Sequence, residues 1–141
     1  MLRIFPLLII PVILYMLFAF GGGVTGHDDI ARLLAHGIDI HMFSGDSWHF
    51  GVNDLLVLVA LIMLFVEIVK ATRTTSREII NHALSMLTFV VAIICFITLK
   101  GFATSTFFLI MAMCLFDVIA GYTISIVAAE HDLGLGRAGT D

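Results

Sequence analysis

Four stretches of this chain are long enough and apolar enough to cross a bilayer, and that feature limits every other reading. A bilayer core ~30 Å thick takes about 20 mostly apolar residues in a helix. The stretches run over about 2–20 (LRIFPLLIIPVILYMLFAF), 50–71 (around LLVLVALIMLFVEIVKA), 78–99 (EIINHALSMLTFVVAIICFITL) and 106–129 (TFFLIMAMCLFDVIAGYTISIVAA). In lipid every backbone amide has to be paired within its own segment, so runs of this length read as helices whatever their β-branched content.

Composition agrees. Of 141 residues, 60% are apolar and 13% charged, against ~45–50% and ~25% in ordinary soluble domains. Eleven acids and seven bases are too few for the polar skin of a soluble enzyme, and mean hydropathy of +1.11 excludes a disordered tail. A net charge of −4 offers no footprint for nucleic acid. The expected fold is an all-α membrane protein: four transmembrane helices in an antiparallel bundle, plus one short interfacial amphipathic helix. Residues 1–129 would form this single domain and 130–141, with Gly134, Gly136 and Gly139, a short loose tail.

The first run carries a basic Arg3 and a small-residue pattern at Ala19 and Gly21, as a cleaved signal would. Its apolar stretch is longer than a typical signal core, so it is expected to stay as an anchor. Pro6 and Pro11 are expected to bend it, and Gly21, Gly22 and Gly23 to end it. Orientation follows from the basic residues beside the spans. With both termini cytoplasmic, Arg3, Lys70, Arg73, Arg77 and Arg137 lie inside, and only Arg32 and Lys100 outside. The connectors at 72–77 and 100–105 are short, which predicts antiparallel neighbours along the chain.

Between the first two spans lies the longest polar stretch. Ile30, Leu33, Leu34, Ile38 and His41–Met42 recur at helical spacing, with Asp28, Asp29, Arg32, His36 and Asp39 opposite. Thr25 and Asp28 resemble a capping box. The spacing predicts an amphipathic helix over about 26–42 on the outer interface, broken by Gly45, with Trp48, His49 and Phe50 where the second span enters the headgroups. His27, His36, His41 and His49 beside four aspartates are candidate ligands for zinc, nickel or copper. However, His36 and His41, five residues apart, lie about 140° apart on a helix, and no cysteine or H-E-x-x-H pattern joins them. Histidines facing water, charging as the outer pH falls toward ~6, fit better.

The polar residues inside the spans are the most informative. Asp117 stands eleven residues into the fourth span. A carboxylate there costs ~2.5–3.5 kcal/mol on insertion scales, so it must face protein or water, or be protonated. Cys114, Asp117, Gly121, Ser125 and Ala128 share one helical face, and Asn81, Ser85, Thr88, Ala92 and Cys95 share a face of the third span. Small residues let helices approach closely in lipid while hydroxyls and amides bridge them. Folding the third and fourth spans about their connector sets Asp117 level with Thr88, within reach of its hydroxyl; the same construction sets Glu67 level with His82. Glu67, His82 and Asp117 then form a ladder of protonatable groups, with Asp117 about 9 Å deeper at ~1.5 Å per residue. The plainer reading has Glu67 paired with Lys70, His82 hydrogen-bonded, and Asp117 clamped to Thr88. Cys95 and Cys114 differ in depth and read as packing residues rather than a disulfide.

No catalytic motif is present: there is no G-x-S-x-G, C-x-x-C or Gly-rich phosphate loop. Only His82 among the histidines lies within a span, which leaves haem without a second ligand. The expectation is a non-enzymatic protein without a cofactor. Its partners would be the lipid bilayer and a second copy or another membrane subunit, not nucleic acid. Residues 50–129 resemble a group of small, uncharacterised bacterial inner-membrane proteins. The likeness rests on Asn53-Asp54-Leu55-Leu56, the run from Phe65 to Arg73, His82-Ala83-Leu84-Ser85-Met86, the run from Ala103 to Leu109, and Asp117-Val118-Ile119-Ala120-Gly121. It implies the architecture and a bacterial inner membrane, and no activity. The functional expectation is a structural or accessory component of an oligomer or larger membrane assembly. The alternatives are proton-coupled transport or ion conduction through Asp117, His82 and Glu67, and metal or pH sensing by the outer histidines.

Overall fold

The computed structural model describes residues 5–21, 27–72 and 78–138, with side chains at 5–21, 29–72 and 80–127. The elements in order are α1 (Ile9–Gly21), α2 (His27–Leu34), β1 (Gly37–His41), β2 (Ser47–Gly51), α3 (Val52–Ala71), α4 (Glu78–Thr98) and α5 (Ser105–Ala138). By length and composition, α3, α4 and α5 can each cross a membrane; α1 is a shorter apolar helix. The usual distribution of polarity is inverted. Leu55, Leu58, Leu61, Phe65, Ile94, Ile97, Phe116 and Ile119 point outward, while Glu67, Asn81, His82, Ser85, Thr88, Thr106 and Asp117 are buried. Water penalises such a surface and hydrocarbon does not.

The first run departs from its expected form. Its helix begins at Ile9 rather than Leu2, and its thirteen residues cover roughly 20 Å, short of a bilayer core. Pro6 and Pro11 set where the helix begins instead of bending a longer one. Pro11 falls in the first turn, where its missing N–H deprives no carbonyl, and Ile9 and Ile10 donate to the Pro6 and Leu7 carbonyls in the turn before it. Residues 1–4, including Arg3, lie outside the described residues.

The segment after it is also corrected. The amphipathic helix expected over 26–42 is confined to α2, where Ile30 and Leu34 are buried, one turn apart. Thr25 lies outside the described residues. Beyond Ala35 the chain forms a hairpin, so the protein is mostly helical but not all-α. β1 pairs antiparallel with β2, Gly37 facing Gly51 and His41 facing Ser47. Ile38, Ile40, Trp48 and Phe50 alternate with polar residues at period two, the strand period. Gly45, expected to break a helix, has φ +93° and makes the hairpin turn. Gly37 must be glycine, because a Cβ would meet the Phe50 carbonyl oxygen at 2.1 Å. The Asp54 carboxylate accepts the Gly51 N–H at 2.9 Å and fixes the start of α3 at Val52.

α5 packs extensively against both α3 and α4, and α1 touches all three. The short 72–77 connector therefore does not make α3 and α4 the close neighbours expected, since the two small-residue stripes draw α4 onto α5. α5 runs to Ala138 where the sequence reading ended it near Ala129, so residues 130–138 are helical. Arg73 to Arg77 and the last three residues lie outside the described residues. At the end of the fold where α5 begins, Tyr15 is fully buried. Its hydroxyl donates to the Gly101 carbonyl at 2.8 Å and lies 2.6 Å from Thr104 Oγ1, with its ring against Phe102 and Phe107. Thr104 in turn caps α5 by accepting the Phe107 N–H at 3.2 Å.

Candidate functional site

The buried polar residues gather at the opposite end, where α3 finishes and α4 begins. Glu67 stands on the buried stripe of α3 with Leu56, Ala60, Leu64 and Ala71. It is 1% exposed, and its carboxylate is fully engaged. Lys70 Nζ lies 3.1 and 3.0 Å from its two oxygens, Asn81 Nδ2 donates at 3.3 Å, and the Leu7 N–H donates from the turn before α1. Lys70 also reaches the Phe5 carbonyl at 3.4 Å. The expected Glu67–Lys70 pair is present, with the carboxylate buried and the Lys70 side chain partly exposed beside it. The bonding partner on α4 is Asn81, one residue before the His82 expected at that depth.

One turn further in, the bonding fails. Among the described residues, every buried side-chain nitrogen or oxygen without a hydrogen-bond partner lies in one cluster: Asn81 Oδ1, both His82 ring nitrogens, Ser85 Oγ and Asp117 Oδ2. His82 and Asp117 are 5% and 4% exposed. The His82 ring rests on the bare backbone of α5 at Gly121, where a Cβ would lie 2.3 Å from Nδ1, and 6.2 Å from the Tyr122 ring centre. Gly121 is the reason an imidazole fits between α4 and α5 at this level.

Thr88 does not approach Asp117 as expected. Its hydroxyl donates to the Leu84 carbonyl at 2.9 Å, along its own helix. The hydroxyl facing Asp117 is that of Ser85, without the geometry of a formed hydrogen bond. The one-turn difference has a simple origin: α4 ends at Thr98 and α5 starts at Ser105, so the fold-back axis sits about one residue earlier than the middle of the 100–105 connector. That moves the level of Asp117 to the Ser85 turn. Glu67, His82 and Lys70 complete the electrostatic surroundings of Asp117, with Cys114 one turn away on α5.

The rest of the two stripes does the packing. Ala92, Cys95 and Cys114 belong to the buried core, both cysteines as free thiols, and Gly121 is buried. Ser125 is half-buried and donates to the Gly121 carbonyl at 2.9 Å. The histidines of the segment between α1 and α3 lie elsewhere. His36, His41 and His49 are exposed, His41 Nδ1 is 2.8 Å from Ser47 Oγ, and the side chain of His27 is outside the described residues. Among the described residues, no three His, Cys, Asp or Glu side chains converge as metal ligands.

A buried polar atom left unpaired costs ~1–3 kcal/mol. Of these atoms, the two imidazole nitrogens and the carboxylate oxygen belong to the side chains that can exchange a proton, His82 and Asp117. Sequence reasoning singled out Asp117, His82, Ser85 and Asn81 but missed the Leu7 N–H and the Tyr15 hydroxyl. Tyr15, the one hydroxyl-bearing side chain in the first apolar run, was the available signal. No family model matches the chain, and no curated protein or solved structure is similar enough to count as a match.

Proposed function

We propose that the protein is a non-enzymatic, multi-pass component of a membrane assembly whose α4–α5 cluster takes up and releases a proton. Asp117 and His82 hold the proton, Ser85 and Asn81 line its place, and the Glu67–Lys70 pair marks the end by which it enters. One observation carries the reading: five unpaired buried polar atoms lie on neighbouring turns of α4 and α5. Sustained conduction by a single chain is disfavoured, because beyond Asp117 the interior is filled by Cys114, Ile110, Phe107, Phe102 and Tyr15. A second copy or another membrane subunit would then use the protonation state or complete the path, which keeps the chain an accessory component. We take α1, too short to cross as a helix alone, together with the apolar residues before it as the fourth span of a four-helix bundle. The Lys/Arg count favours both termini in the cytoplasm, and the resemblance of residues 50–129 favours a bacterial inner membrane.

Infrared difference spectra of the protein in phosphatidylethanolamine–phosphatidylglycerol vesicles, recorded across a pH titration, test this. The expected result is a carboxylic-acid C=O band that titrates in the wild type, disappears in Asp117→Asn and shifts in His82→Phe, with folding unimpaired. Identical spectra for wild type and Asp117→Asn overturn the proposal.

A further inference from the structure

The β1–β2 hairpin is amphipathic through its thickness. Its register sets Ile38 opposite Phe50 and Ile40 opposite Trp48, and opposed residues of an antiparallel pair share a face. The other face carries Asp39, His41, Ser47 and His49, joined across the strands by the 2.8 Å His49–Asp39 and His41–Ser47 contacts. Ile38, Ile40 and Trp48 are exposed, and Phe43 at the tip is fully so. A two-stranded hairpin is marginal in water by itself, and here its apolar face is turned away from the core.

What adjoins that face indicates its occupant. Trp48 and Phe50 line a groove of about 370 Å³ together with Leu58 and Leu61 of α3 and Leu109 of α5. Those three leucines are exposed residues of helices long and apolar enough to cross a membrane. The sheet face thus continues the surface that the spans offer to acyl chains. Asn53 and Asp54, in the first turn of α3, border the same groove at the level where a helix leaves hydrocarbon for headgroups. An indole at the end of a span is the side chain that level favours.

We infer that the hairpin is a lipid anchor. Its apolar face and the Phe43 tip lie in the headgroup–acyl boundary of the leaflet at the N-terminal end of α3, and a lipid chain of that leaflet fills the groove. The polar face, with Asp39 and His49, stays in water. This is independent of the proton site, which lies toward the other end of α3.

Trp48 is the only tryptophan in the chain, so the full-length protein reports on itself. The experiment uses phosphatidylcholine vesicles brominated either near the carbonyl end or near the terminal methyl of the acyl chain. The expected result is loss of Trp48 emission, greater with bromine near the carbonyl end, and little quenching by aqueous iodide. The double variant Trp48→Phe/Phe43→Trp moves the reporter to the tip and is expected to behave likewise. Quenching by iodide with no response to brominated lipid overturns the inference. So does emission quenched by neither agent that changes with the protein-to-lipid ratio, which would place a second copy over the face.

Discussion

Replacing Glu67 gives a graded test of whether the end of the fold where α3 finishes and α4 begins is held by a buried charge. The carboxylate accepts from the Leu7 N–H, from Lys70 at 3.0 Å and from Asn81 at 3.3 Å. Glu67→Gln removes the charge but not the shape. Its remaining oxygen still accepts from Leu7, and its new NH2 can donate to Asn81, whose Oδ1 is unpartnered and comes round on an amide flip. Exchanging charge-assisted for neutral hydrogen bonds costs about 1–2 kcal/mol. Glu67→Leu leaves the Leu7 N–H and the Asn81 amide without their acceptor and Lys70, which is partly exposed, with only the Phe5 carbonyl; the stranded donors alone cost about 1–3 kcal/mol each, and the unmatched ammonium adds less than in a fully buried pair. Glu67→Leu/Lys70→Leu removes both charges and is expected to regain the part due to the unmatched ammonium, leaving about 1–3 kcal/mol for each of the stranded Leu7 and Asn81 donors. Steric-trapping unfolding in bicelles, followed through Trp48, reads these differences. Hydrogen exchange at Leu7 is expected to accelerate in the Leu variant and far less in Gln. Equal stability for the Gln and Leu variants refutes the reasoning, since it means that the carboxylate is solvated and the pair contributes no more than one on a surface.

Two further outcomes follow from the opposite end. Tyr15→Phe keeps the ring against Phe102 and Phe107 but strands the Gly101 carbonyl and frees Thr104. A loss of about 1–3 kcal/mol in the same unfolding assay is expected, and an unchanged midpoint counts against the hydroxyl's role. His49 sits between two acceptors, the Ala35 carbonyl at Nε2 and the Asp39 carboxylate at Nδ1, each at 2.8 Å; only the imidazolium can donate to both. The Ala35 hydrogen bond, then Asp39 and the nearby charge of Asp54, raise its pKa above the usual 6.5. The hairpin's added stability is therefore full below about 6.5 and is lost as pH climbs through the raised value. Exchange protection of residues 37–51, corrected for intrinsic rate, is expected to fall over that interval in the wild type and stay level in His49→Gln.

Helical spacing made α3, α4 and α5 legible because their apolar runs are uninterrupted. Burial of Asn81, Ser85, Thr88, Ala92 and Cys95 on one side of α4 follows from the same period. The segment after α2 was misread for an equally physical reason. Ile30, Leu34 and Ile38 fit a 3.6-residue period, while Ile38, Ile40, Trp48 and Phe50 fit a period of two, and the windows overlap at Ile38. Gly37, unable to carry a Cβ against Phe50, and Gly45, at positive φ, decide for the hairpin. Depth matching came within one residue for Glu67, whose helix boundaries at Ala71 and Glu78 were anticipated, and missed by one turn for Asp117, where α4 ends earlier than the connector suggested. The Glu67–Leu7 bond was beyond sequence reasoning, because it joins a backbone amide to a side chain sixty positions away.

The two buried acids divide what one might have been expected to do alone. A polar clamp holds helices together only if its charge is matched, and Glu67 meets that condition with Lys70, Asn81 and Leu7. Asp117 does not. One of its oxygens is unpartnered, Thr88 bonds elsewhere, and the facing Ser85 hydroxyl makes no formed hydrogen bond. A residue kept only for packing at that position would be bettered by an apolar one, since a buried polar atom left unpaired costs about 1–3 kcal/mol. Stability and proton uptake should therefore separate between the two sites. Glu67 variants are expected to loosen the fold while the Asp117 band still titrates in those that remain folded. Asp117→Asn is expected to fold as well as the wild type with that band gone. A large destabilisation by Asp117→Asn would mean that Asp117 is a second clamp, and would remove the ground for assigning it a proton.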